Sequence, residues 1–115
     1  MAYFDLFVAP VAADAKERYL DFTRKMQEMI LSCGAVECVD LWGEDVPDGE
    51  VTSFPMAVKL KPGEVVASGY VIWPSKEVRD AGWGRIMEEA ADIPMPFDGK
   101  RMVMGGFNEF HRSGG

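Results

Sequence analysis

The sequence predicts an α+β domain in which two helices cover one face of a four-stranded antiparallel sheet. Three observations predict it: apolar residues recur at helical spacing in two segments, they alternate at strand spacing in four others, and the two kinds of segment follow the order β-α-β-β-α-β. This order is that of the ferredoxin-like fold. A chain of 115 residues without repeats or linkers is expected to form one such domain, residues 1–115.

The first strand is predicted at residues 3–9, and Pro10 ends it. Alternation divides its side chains between two faces of the sheet. One face carries Phe4, Leu6 and Val8, and the other carries Tyr3, Asp5 and Phe7.

The first helix follows, and Asp14 is expected to cap it, with Glu17 completing a capping box. An apolar stripe with spacings of three and four residues must pack against the sheet. Gly34 stands where a C-terminal cap belongs. The stripe consists of Tyr19, Phe22, Met26, Met29 and Cys33.

Two more strands are predicted in the middle of the chain, at residues 36–42 and 64–73, the latter rich in Val, Ile and aromatic residues. In the former, Val36, Cys38, Asp40 and Trp42 share one face. The stretch 53–61 fits either a short helix capped by Ser53, with Pro55 in its first turn, or an edge strand. We favour the helical turn.

The second helix is predicted at roughly residues 75–90, where Gly82 and Gly84 each weaken it by roughly 1 kcal/mol relative to Ala. Its inner side is expected to carry Val78, Ala81, Ile86, Met87 and Ala90. Residues 91–100 are expected to form a loop. The last strand is predicted at residues 101–110, interrupted by Gly105-Gly106.

Composition excludes several function classes. The net charge of -7 makes the chain a poor partner for phosphate backbones, so no nucleic-acid partner is expected. No stretch approaches the roughly 18 apolar residues of a membrane span, and the start lacks the basic region of a signal peptide. We expect a cytoplasmic protein without a membrane partner. The spacing of Cys33 and Cys38 fits neither a CxxC motif nor a zinc pair, so no metal is expected.

Two helices leave one face of the sheet uncovered. Alternation is expected to place Tyr3, Phe7, Trp42 and Tyr70 on that face, which is too aromatic to remain in water. The sequence therefore predicts that a second copy of the chain covers this face in a homodimer, or that a small-molecule ligand does.

Most of the chain resembles one known family, the domain-of-unknown-function 1428 family of YbaA-like proteins. The stretches that carry the resemblance are Tyr3–Val8, Asp45–Gly49, Val51–Phe54, Met56–Lys59, Pro74–Ala81 and Met95–Phe107. Two residues depart from the family's pattern, because Asp40 and Tyr70 stand where it tends to have Glu and Trp.

The resemblance implies a dimeric α/β barrel, in which two ferredoxin-like subunits face each other sheet to sheet. The superfamily with this fold includes cofactor-free monooxygenases, haem-degrading enzymes, lactone isomerases and members without known activity. The family has no established reaction that the resemblance could imply for this chain, so whether this protein is an enzyme stays open.

Asp5 and Asp40 are the candidate catalytic residues. Both are expected on the face away from the helices, where a carboxylate among aromatic rings is desolvated, and desolvation raises a pKa toward the range of a general base. The alternative is that each pairs with a cation, such as Arg101, or hydrogen-bonds across a dimer. The candidate ligand-binding residues are Tyr3, Phe7, Trp42, Tyr70 and Arg101.

These residues support two hypotheses of different classes. The first is that the aromatic face binds or transforms a small apolar or aromatic molecule. The second is a non-catalytic homodimeric binding or scaffold module, because no nucleophile–base pair or metal set is recognisable. Arg79 and Asp80 are expected to form a structural ion pair. His111, the single histidine, lies in the terminal stretch, so neither haem nor another cofactor is expected.

Overall fold

A computed structural model describes residues 1–114 and builds them around one antiparallel sheet. Its strands are β1 (Tyr3–Ala12), β2 (Glu37–Trp42), β3 (Glu64–Trp73) and β4 (Val103–Asn108). They lie in the order β2-β3-β1-β4, so β1 and β3 are central. The predicted α+β, ferredoxin-like fold is confirmed.

Three helices accompany the sheet: α1 (Lys16–Ser32), α2 (Phe54–Ala57) and α3 (Lys76–Glu89). The helical turn predicted within 53–61 is α2, and the Ser53 hydroxyl caps it by accepting a hydrogen bond from the Met56 N–H at 3.1 Å. Ser75 caps α3 in the same way, through the Val78 N–H at 3.2 Å. None of the helices in residues 1–114 is long and apolar enough to cross a membrane.

Four details of the predicted elements are wrong. Pro10 does not end the first strand, because β1 continues to Ala12. Asp14 lies inside a 3-10 turn, Ala13–Ala15, so the residue that precedes α1 is Ala15 and no side chain caps the helix. Met87, expected on the inner side of α3, is 70% exposed, while Gly82 is buried there. The last strand begins at Val103, because a second 3-10 turn at Gly99–Arg101 precedes it.

The helices cover the face of the sheet opposite to the one that was expected. Antiparallel partners directly opposite each other share a face, and Tyr3 lies opposite Trp73, while Asp5 lies opposite Val71. Trp73 and Val71 are buried in the core with Ile86. The prediction that Tyr3 and Asp5 face away from the helices is therefore wrong.

The same strand register corrects the predicted face of the other residues. Trp42 pairs with Ala67 of the buried face, and Phe7 and Asp40 both pair with Gly69. They too lie on the helix-covered face, and of the four predicted aromatic residues only Tyr70 lies on the uncovered one. Alternation identifies which side chains share a face, but it does not say which of the two sets the helices will cover.

Candidate functional site

Asp5 is a buried carboxylate that uses both of its oxygens. Its Oδ2 accepts hydrogen bonds from the indole N–H groups of Trp73 at 2.9 Å and Trp83 at 2.7 Å. Its Oδ1 accepts from Arg79 Nη2 at 2.7 Å, and Arg79 Nε donates to both oxygens at 3.1 Å. The side chain is only 2% exposed. The expectation that Asp5 pairs with a cation is confirmed, although the cation is Arg79 and not Arg101.

Arg79 completes this cluster from the first turns of α3. Its guanidinium lies 5.2 Å from the ring centroid of Tyr3 and also contacts Asp80 at 3.0 Å, which is the expected structural pair. The hydrogen bonds to Asp5 are the main cause that raises the pKa of Arg79 above its usual value. Since every strong donor near Asp5 is already engaged, its carboxylate is arranged to hold α3 against the sheet rather than to accept a proton.

Asp40 has a different environment on the same face. Its Oδ2 accepts one hydrogen bond, from Gln27 Nε2 of α1 at 2.7 Å, and no cation of residues 1–114 lies within ion-pair distance. Desolvation raises the pKa of Asp40, and the Gln27 hydrogen bond opposes that shift. Burial, followed by the charge of Asp40, also raises the pKa of Tyr19 and that of Cys38.

Aromatic rings surround Asp40. Its register partner Gly69 has no side chain, and the Phe7 ring fills that space, so that a Cβ at Gly69 would lie 2.6 Å from Phe7 Cζ. Trp42 lies two residues along the same face, with its ring 6.0 Å from that of Tyr19. We call the group Phe7, Tyr19, Gln27, Asp40 and Trp42 the Asp40 site.

Sequence reasoning found part of this site. It singled out Phe7, Asp40 and Trp42, which the structure brings together, whereas Tyr3 and Tyr70 lie elsewhere. It missed Gln27 and the role of Tyr19, both of α1. Tyr19 was visible as a member of the apolar helix stripe, but Gln27 gave no signal, because a glutamine on a helix is ordinarily a solvated side chain.

Arg101 does not reach either acid. Its Nη2 pairs with Glu64 Oε2 at 2.7 Å and its Nε pairs with Asp98 at 3.0 Å, and it also donates to the Lys59 carbonyl oxygen. The Arg101 hydrogen bond is the main cause that lowers the pKa of Glu64 to about 2. The predicted meeting of Arg101 with Asp5 or Asp40 is wrong, since Arg101 ties the turn before β4 to the start of β3.

The uncovered face of the sheet is a second candidate surface, and we call it the open face. Strand register sets its central residues in three rows across the four strands. Leu6, Leu41, Val103 and Phe107 are 43–53% exposed there. The Ser68 hydroxyl donates to the Phe7 carbonyl oxygen at 2.8 Å. The rows are Leu41, Ser68, Val8 and Val103; Val39, Tyr70, Leu6 and Gly105; and Glu37, Ile72, Phe4 and Phe107.

A depression of about 430 Å³ lies at one margin of the open face. Phe4, Tyr70, Ile72 and Glu37 of the sheet form one side, and residues 109–112 form the other. Within residues 1–114, no group of three or more His, Cys, Asp or Glu side chains is placed to hold a metal ion.

The fold defines the class of protein to which the chain is similar. A solved structure titled as a putative antibiotic biosynthesis monooxygenase from Nitrosomonas europaea matches it with a TM-score of 0.56, over 98% of this chain and 94% of that one. The sequence identity is 15%, so the match shows the shared fold and not a shared activity.

Sequence similarity then identifies the family. The family described as "Protein of unknown function (DUF1428)" matches residues 2–99. The uncharacterized protein YbaA of Escherichia coli strain K12 is 44% identical over 111 residues, which cover 93% of this chain and 95% of that protein, and YbaA of Shigella flexneri is equally similar. The chain belongs to the DUF1428 family, as its sequence motifs indicated.

Proposed function

We propose that the protein works as a homodimer in which two open faces pack against each other. The observation that carries this proposal is the composition of the three rows. Nine of the twelve residues are apolar or aromatic, and the one charge, Glu37, lies on the edge strand β2. A face that is mostly apolar and carries its one charge at the edge is complementary to itself, as a two-fold dimer requires.

The size of the face decides how much of the interface it supplies. Four strands at spacings of about 4.8 Å, with three rows along each strand, cover roughly 300 Å² in projection. A stable dimer buries about 800 Å² per partner. The twelve residues therefore supply less than half of such an interface, and the residues around them supply the remaining area.

Sedimentation velocity tests the dimer with a matched pair of substitutions. Leu6→Lys places a charge at the centre of the open face and is expected to give monomers, while Val51→Lys, at a loop residue that is 94% exposed, leaves the dimer intact. A wild-type protein that sediments as a monomer at about 100 µM would overturn the proposal, because a standard-size apolar interface is saturated there.

For each protomer, we propose that the Asp40 site binds a small, largely apolar or aromatic molecule. The supporting observation is the contrast between the two acids, since Asp5 has every oxygen engaged and Asp40 has one amide partner and no cation. The free oxygen of Asp40 would accept a hydrogen bond from a hydroxyl of the ligand, and its raised pKa suits it to take the proton.

A thermal-shift screen against phenols, quinols and acyl compounds tests this site. A compound that stabilises the wild type is expected to lose most of its effect with Asp40→Asn, which keeps the acceptor for Gln27 but removes the charge. Asp48→Asn, in an exposed loop, is the matched control. A binder that is equally effective with both variants would show that Asp40 is not the ligand's partner.

The alternative is a non-catalytic homodimeric module, and the engagement of both Asp5 oxygens by Trp73, Trp83 and Arg79 favours it. This function predicts a dimer that Leu6→Lys dissociates, together with no compound that depends on Asp40. Both cysteines are free thiols, which suits the reducing cytoplasm that we infer as the protein's location.

A further inference from the structure

The depression at the margin of the open face, which we call the edge pocket, has an apolar floor. Phe4 and Tyr70 lie there with their ring centroids 6.3 Å apart, and Ile72 lies beside them on the same face. The volume of about 430 Å³ is within the range of small-molecule sites. An aromatic ring or a branched apolar body would replace water over these side chains.

Residues 109–112 form the other wall, and their own contacts hold them there. The Glu109 N–H donates to the Ala2 carbonyl oxygen at 3.0 Å, which extends the pairing of β4 with β1. Arg112 pairs with the Glu109 carboxylate, and its guanidinium lies 5.9 Å from the ring centroid of Phe4. The positive charge of Arg112 is therefore already balanced by the Glu109 carboxylate of the same wall.

Glu37 is the charged residue of the pocket that has no ion-pair partner among residues 1–114. It lines the pocket from β2, and it makes no hydrogen bond or ion pair through its side chain with any residue in 1–114. With Glu109 and Arg112 cancelling each other, the pocket carries one excess negative charge, on a protein whose net charge is -7. Charge complementarity therefore favours a cation as the ligand.

We propose that the edge pocket binds a small organic cation, an ammonium group on an aromatic or apolar body. The body packs on Phe4, Tyr70 and Ile72, and the ammonium group pairs with the Glu37 carboxylate, where the Tyr70 ring adds cation–π attraction. None of these residues belongs to the Asp40 site, but Phe4, Tyr70, Ile72 and Glu37 belong to the open face, so this inference rests on a dimer that leaves this margin of the face uncovered.

Titration calorimetry with three molecules of one shape tests the ligand class. 2-Phenylethylammonium is expected to bind more tightly than the neutral 2-phenylethanol, and phenylacetate is expected to bind least. Glu37→Gln should weaken the ammonium compound about three- to fivefold, which is the effect of one exposed ion pair, and should leave the alcohol unchanged. Glu50→Gln, in an exposed loop, is the matched control and should change neither.

Four outcomes would overturn the proposal. The first is no binding of the ammonium compound at millimolar concentration, and the second is binding of phenylacetate at least as tight as that of the ammonium compound. The third is binding by monomeric Leu6→Lys but not by the wild type, which would show that the partner's sheet fills the pocket. An ammonium compound whose affinity falls with Asp40→Asn and not with Glu37→Gln would also exclude the edge pocket, while supporting the Asp40 site.

Discussion

Two acids on one face of the sheet have opposite roles because of what surrounds them. Asp5 accepts hydrogen bonds from two indoles and a guanidinium, whereas Asp40 accepts one from an amide. Removing one partner from a buried ion pair leaves an uncompensated charge, which costs about 3–5 kcal/mol. The residue that looks most like a catalytic base by burial is therefore the one that stabilises the fold.

Asp5→Asn is expected to destabilise the protein by about 3–5 kcal/mol, because the Arg79 guanidinium loses its buried partner and the new amide N–H₂ opposes an indole N–H. Asp40→Asn is expected to change stability by less than about 1 kcal/mol, since no ion pair is lost and Gln27 keeps its acceptor. Urea unfolding at one protein concentration measures both. Equal effects of the two substitutions would contradict the assigned roles.

The lowered pKa of Glu64 predicts that the protein loses folding stability at acidic pH. Its pKa is lowered from 4.5 to about 2 in the folded protein, chiefly by the Arg101 hydrogen bond. A lowered folded-state pKa contributes stability that is fully present above the unfolded pKa and is lost as the pH falls from about 4.5 toward 2. Glu64→Gln should therefore lower the Tm at pH 7.

Melting curves of Glu64→Gln and the wild type between pH 7 and pH 2 check this, because their Tm difference should shrink through that window. Glu50→Gln, at an exposed loop position, should follow the wild type throughout. A Tm difference that stays constant down to pH 2 would show that the ion pair does not contribute in the expected way.

At the scale of elements, the bounds of a strand were predicted best where turn-forming residues at its ends agree with the strand propensity of the residues between them. The bounds of β3 match residue by residue, since Pro62-Gly63 and Pro74 enclose a run rich in β-branched and aromatic residues. The start of β4 was predicted two residues too early, at residue 101, because the Asp98 side chain accepts from the Lys100 N–H and favours a 3-10 turn there. Whether a side chain forms such a capping hydrogen bond depends on the residues that contact the turn in the folded protein.

Gly82 and Gly84 in α3 differ in a way that their sequence does not show. A Cβ at Gly82 would lie 2.7–2.8 Å from the Trp73 ring, whereas a Cβ at Gly84 has nothing within 4 Å. Trp73 is held in place by its hydrogen bond to Asp5 at 2.9 Å, so it is not free to yield. The close approach of the helix to this indole is therefore what requires Gly82.

Gly82→Ala is expected to destabilise the protein by up to about 2 kcal/mol, because overpacking costs about 1–3 kcal/mol and the helix-propensity gain offsets only about 1. Gly84→Ala should instead stabilise it by up to about 1 kcal/mol. Chemical denaturation with near-ultraviolet circular dichroism measures both the free energies and the packing of Trp73. Stabilisation by both substitutions would exclude the steric role of Gly82.

At the scale of the whole molecule, the sequence predicted that one sheet face lacks a cover but indicated the wrong face. Phe4, Leu6 and Val8 are more apolar than Tyr3, Asp5 and Phe7, yet the former set is the uncovered one. The choice depends on α3, whose Trp83 and Arg79 donate hydrogen bonds to Asp5. Such a contact joins residues more than seventy positions apart, and no local pattern reveals it.

An open face that a second copy covers has a thermodynamic consequence for the whole protein. If dimerisation and folding are coupled, the midpoint of thermal unfolding depends on protein concentration. Each tenfold dilution removes about 1.4 kcal/mol per dimer. Divided by the unfolding entropy expected for two chains of 115 residues, this is a decrease in Tm of about 3 °C.

Differential scanning fluorimetry from about 1 to 100 µM checks this dependence. The wild type and Val51→Lys should both show it, whereas Leu6→Lys should melt at a lower temperature that does not change with dilution, because its charged centre cannot be buried against a partner. A wild-type Tm that is the same across this range would mean that no second copy of the chain covers the open face of the folded protein. The apolar rows would then need an occupant other than a second copy of the chain.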